Sequence, residues 1–109
     1  MSLNNMVILI GYVGQHIQAK TTSKGSKMVL LRLATHEPGN KKSETNTWLT
    51  TWHNVIAWDK TAEHAEQSLV KGSRVLIKGR ICYSKYVDRQ DHTRYLTEIK
   101  AEYIQNLDR

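Results

Sequence analysis

Apolar residues fall in short runs separated by polar stretches, and most runs have strand character. Met6-Val7-Ile8-Leu9-Ile10-Gly11-Tyr12-Val13 is aliphatic and β-branched, and a glycine interrupts it. It is apolar at both parities, which predicts burial on both faces. A small barrel covers one face of its own strand, so Val7, Ile8, Leu9 and Ile10 are candidates for a subunit interface. Gln15 to Ser26 is polar and reads as a connection, with Gly25 in a turn. Lys27 to Thr35 is a second strand, followed from Glu37 to Asn46 by a basic loop that holds Pro38, Gly39, Lys41 and Lys42.

The third predicted strand runs from Trp48 to Trp58. Trp48, Thr50, Trp52, Asn54, Ile56 and Trp58 share one parity, and Leu49, Thr51, His53, Val55 and Ala57 share the other. The indole parity would bury Thr50 and Asn54 if it faced a core. Leu49, Val55 and Ala57 make a better barrel lining, so the Trp face is expected outside.

One helix follows. Asp59 or Thr61 can cap its start, Ala62, Ala65 and Leu69 recur at helical spacing, and Lys71-Gly72 is expected to close it. Arg74 to Tyr83 is a fourth strand, with Gly79 marking a bulge or bend. Asp88 to His92 is a turn. Thr93 to Ile104 is the last strand, with Tyr95, Thr97, Ile99, Ala101 and Tyr103 on one parity. Three strands, a helix and two strands predict an all-β fold: a five-stranded Greek-key OB-fold barrel with its helix between strands three and four. The domain is expected over residues 6–107. Residues 1–5 precede it, and Met1-Ser2-Leu3 reads as a vector-derived leader.

Charge adds a partner class. Sixteen Lys and Arg oppose ten Asp and Glu among 109 residues, for a net charge of +6. A small basic domain attracts polyanions, chiefly nucleic acid, with anionic membrane surfaces as the competitor. Exposed indoles are costly unless they meet a partner, and nucleobases can stack on them at roughly 1–3 kcal/mol each. Trp52 and Trp58 stand about 20 Å apart along an extended strand, which suits separate bases of one single strand. Lys41, Lys42, Lys60, Lys78, Arg80, and Lys85 beside Tyr86 are the candidate phosphate contacts.

Other chemistries find little support. Cys82 is the only cysteine, which excludes an intramolecular disulfide. The five histidines lack metal-ligand spacing, so neither a metal nor another cofactor is expected. No nucleophile, base and orienting group come together, and an enzyme is not expected. His53 reads as an interface or core residue. No apolar run approaches membrane-spanning length, and Met6 to Ile10 is too short for a signal peptide, so a cytoplasmic protein is expected.

Val7-Ile8-Leu9-Ile10-Gly11-Tyr12-Val13-Gly14, Leu33-Ala34-Thr35, Trp52-His53-Asn54-Val55, Leu69-Val70-Lys71-Gly72-Ser73, Gly79-Arg80 and Arg94-Tyr95-Leu96-Thr97-Glu98-Ile99 together resemble bacterial single-stranded DNA-binding proteins, in order and spacing, over nearly the whole chain. The resemblance implies an OB-fold that assembles as a homotetramer and wraps single-stranded DNA in replication, recombination and repair. It implies stacking at Trp52, Trp58 and Tyr86, with Trp48 as the candidate to replace a loop aromatic where this chain has Gly39. It also implies basic contacts at Lys60, Lys71 and Lys85. The family's acidic, partner-recruiting tail does not appear in this sequence, and no recruiting role is carried over. Two rival readings stand beside it: a dimeric OB-fold resembling primosomal replication protein N, and a protein–protein adaptor whose Trp pack a partner.

Overall fold

A computed structural model of the chain describes residues 3–14, 17–38 and 48–108, with the backbone alone at Trp48. The strands are β1 (Val7–Val13), β2 (Gln18–Thr21), β3 (Lys27–Pro38), β4 (Trp48–Trp58), β5 (Arg74–Val87) and β6 (Thr93–Asn106), and the helix α1 (Asp59–Ser68) lies between β4 and β5. The sheet order is β1-β5-β6-β4-β3-β2, and an added β1–β3 pairing closes it. The closed barrel therefore uses β1, β3, β4, β6 and β5. Its helix follows the third barrel strand, as the OB-fold expectation requires.

Alternation fills the barrel. Val29, Leu31 and Leu33 of β3, Val55 and Ala57 of β4, and Val75 and Ile77 of β5 point inward and are buried. Ile99, Ala101 and Ile104 of β6 complete the lining, and Ala62, Ala65 and Leu69 seal it from the helix side. Two seams are thin: β4 and β6 run parallel and pair only at Val55–Ile99 and Ile56–Lys100, and β1 meets β3 only at Tyr12–Ala34 and Val13–Leu33.

The structure corrects several expectations. The polar stretch 15–26 contains β2, which pairs with β3 from Gln18–Leu30 to Thr21–Lys27 and is exposed throughout. Neither Asp59 nor Thr61 caps the helix. The cap position is Trp58, with no side-chain bond, and Asp59 enters at φ 51°. The helix ends at Ser68, where Leu69 N–H donates to Ala65 O at 3.0 Å. Gly72, at φ +89°, serves the next turn, in which Ser73 N–H donates to Val70 O at 3.0 Å.

Two departures concern parity. Leu49 is not barrel lining. It is 58% exposed, because β3 and β4 run on past the barrel as a two-stranded arm that pairs out to Pro38–Trp48. In β6 the register jumps from Lys78–Tyr103 to Gly79–Ala101, leaving Glu102 as an extra residue. The bulge reverses the parity beyond it, so Ile104 is buried while Tyr103 leaves the face of Ile99 and Ala101 and is half exposed. Gly79 stands at that bulge, where a Cβ would overlap the Lys100 carbonyl oxygen.

Candidate nucleic-acid interface

The outer face of β4 is read from its partners in β3: Trp58 opposite Met28, Ile56 opposite Leu30, Asn54 opposite Arg32 and Trp52 opposite Ala34. Trp52 is 46% exposed, and Trp58 is half-buried where the strand meets the helix. Trp52 is held on two sides. The guanidinium carbon of Arg32 lies over its ring at 4.9 Å from the centroid. At the edge of the ring is the bare backbone of Gly14, where a Cβ would come within 2.5 Å of Trp52 Cζ3.

Beyond the seam, β4 and β6 diverge. The cleft between them has a volume of about 390 Å³, with Leu9 and Ile99 on its floor and Trp52, Asn54 and Leu96 at its rim. Its far wall continues into the β5–β6 arm, which pairs out to Val87–Thr93. Tyr86 is exposed there opposite Arg94, while Lys85 points to the opposite face, paired with Tyr95. Tyr83 and Tyr95, 72% and 74% exposed, share the other face of the arm.

The remaining candidates divide. Lys60 is exposed in the first helical turn, adjoining Trp58, and Lys71 is exposed in the turn before β5. Lys78 is half-buried on a different face, opposite Ile8 on one side and Tyr103 on the other. Arg80 lies 3.9 Å from Glu102, which offsets part of its charge. Lys41, Lys42 and the side chain of Trp48 lie outside the described residues.

The residues expected at a subunit interface also separate by parity. Val7 and Leu9 turn inward and pack against the core. Ile8 and Ile10 turn outward and are 52% and 48% exposed, next to Tyr12. His53 faces the barrel interior, where its Nε2 and Thr35 Oγ1 share a 2.9 Å hydrogen bond, and desolvation lowers its pKa below the ordinary imidazole range. Cys82 is half-buried, opposite Glu98.

Sequence reasoning missed three members of this surface. Arg32 is the one cation inside an otherwise apolar run from Met28 to Ala34, at an outward parity, and that signal was readable. Tyr83 and Tyr95 carried none, because nothing in their neighbourhood showed that both strands outrun the barrel. Among the described residues, no group of three His, Cys, Asp or Glu is placed to hold a metal ion, and no helix is long and apolar enough to cross a membrane.

Comparison with known proteins gives the same direction. Residues 4–107 match the model of the single-strand binding protein family. A protein of Xylella fastidiosa (strain Temecula1) described as "Single-stranded DNA-binding protein" is 36% identical over 103 residues, covering 94% of this chain and 63% of its own length. A protein of the same description from Xanthomonas campestris pv. campestris is 34% identical over 103 residues, covering 94% of this chain and 60% of its own length. The chain thus spans about three-fifths of the curated relatives it matches. With the family match running through every strand of the barrel, the chain belongs to the single-strand binding protein family.

Proposed function

We propose that this chain binds single-stranded DNA without regard to base sequence, by stacking and backbone electrostatics, and performs no catalysis. Protection of single strands in replication, recombination and repair, in the cytoplasm, is the role that fits this activity. The observation that carries the reading is Trp52: a large indole kept half exposed outside the barrel and braced on two sides. An exposed indole is costly unless it meets a flat apolar partner, and every base offers one. Trp58, Tyr86, Tyr83 and Tyr95 extend the stacking path, and Lys60, Lys71 and Lys85 supply charge along it. Lys41, Lys42, Trp48, Lys78 and Arg80 remain candidates for the same path.

The test is Trp fluorescence titrated with oligo-dT at several salt concentrations. The expected result is strong quenching at low salt, with an affinity that falls steeply as salt rises. An adaptor whose Trp pack a protein partner would not respond to oligo-dT at low salt, and that outcome would overturn the reading.

The assembly proposed is a homotetramer built on the outer face of β1. Ile8, Ile10 and Tyr12 form an apolar strip there, continued by half-buried Leu76 opposite Ile10. A strip of this kind marks an interface. Ile10→Lys, at an exposed position, should leave the fold intact and lower the mass in solution. An unchanged tetramer mass would remove this face from the assembly, and a dimeric wild type would favour the primosomal alternative.

A further inference from the structure

Arg32 does more than add charge to the surface. It sits between Leu31 and Leu33, both buried, so its own side chain is fixed outward by strand alternation. The ladder places it opposite Asn54, diagonal to Trp52, and its guanidinium stacks over the indole at 4.9 Å. The Gly14 N–H donates to the Arg32 carbonyl at 2.8 Å, which draws the end of β1 against this part of β3. The same contact puts the bare Gly14 backbone against the far edge of the ring. The indole is therefore held by a cation over one face and a glycine at its edge. The ion pairs among the described residues involve Lys27, Arg80 and Arg94, and none involves Arg32. A guanidinium stacked on a ring keeps its N–H donors on its rim, in the plane, where they can meet a phosphate.

We propose that Arg32 is a positioning residue for the Trp52 platform and also the phosphate contact beside it. Arg32 fixes the ring, so little side-chain freedom is lost when a base stacks. It occupies one ring face, so Trp52 stacks one base on one side only. Its donors then take the phosphate adjoining that base. This inference rests on the single-strand reading above.

Arg32→Met and Arg32→Lys test it, because position 32 is exposed and both variants should fold, as a thermal melt will verify. Oligo-dT binding is measured with all three tryptophans present. Arg32→Met should weaken binding about tenfold and reduce the log–log salt slope by about one. Arg32→Lys should restore the slope but only part of the affinity. Acrylamide quenching without DNA is measured in a Trp48→Phe/Trp58→Phe background, where Trp52 is the sole emitter. Arg32→Met should make Trp52 more accessible there. Unchanged affinity and slope in Arg32→Met would overturn the phosphate role, and unchanged quenching would overturn the positioning role. If the wild type ignores oligo-dT, the single-strand reading itself fails, and the quenching measurement still decides whether Arg32 holds the ring.

Discussion

Replacing Trp52 and Trp58 together by alanine should weaken oligo-dT binding by roughly 2–6 kcal/mol, since each base–indole stack contributes about 1–3 kcal/mol. The two rings are about 20 Å apart along β4, so their losses should nearly add. Such a loss is about thirtyfold at its smallest and roughly 20,000-fold at its largest. The two positions should not behave alike. Trp52 is braced yet half exposed, and its removal opens little of the core. Trp58 is half-buried opposite Met28, and truncating it should also cost some stability. A melt must therefore accompany the titration. A folded double variant that binds oligo-dT like the wild type would remove stacking from the mechanism.

Gly79→Ala should destabilise the barrel by about 1–3 kcal/mol, the usual cost of forcing extra volume into a packed site. The added Cβ would overlap the Lys100 carbonyl oxygen and lie 3.1 Å from Ala101 Cα, both backbone atoms that no rotamer change can clear. The displacement would fall at the Glu102 bulge, which sets the inward parity of Ile104. Thermal unfolding reads the effect directly. A melting temperature equal to that of the wild type would show that the bulge does not depend on a bare backbone at this position.

Much of this architecture was legible in the order and parity of residues. Val55 and Ala57 against Trp52 separated inside from outside on β4, and Ala62, Ala65 and Leu69 marked the helix face that meets the core. Gly79 announced the bulge without revealing on which strand the extra residue lies. That residue is Glu102, and a bulge reverses parity in a way that strict alternation cannot anticipate. β2 was invisible for a different reason: Gln18–Thr21 is exposed at every position, so no hydrophobic signal accompanies its pairing. Leu49 looked like lining because its parity matched Val55, but the strand leaves the barrel before reaching it.

The site was less legible than the fold. Side-chain chemistry named Trp52 and Trp58, yet the brace around Trp52 comes from Gly14, just past β1, and from Arg32 of β3, far away in sequence. Tyr83 and Tyr95 became visible only once the length of the β5–β6 arm was known. Val7 and Leu9 looked equivalent to Ile8 and Ile10 because β1 is apolar at both parities, and only the closed barrel tells the two pairs apart.

The seam between β4 and β6 has a dynamic consequence. It pairs over two rungs, as the β1–β3 closure does, whereas β3–β4 and β5–β6 are long ladders. The cheapest local openings should break these two short ladders first, and the β4–β6 one borders the cleft. The two long hairpins would then move as stiff levers about the Val55–Ile99 rung, with amide hydrogen exchange fastest along the cleft edges. Such breathing would let the channel change width while the hydrophobic plug beneath it stays packed.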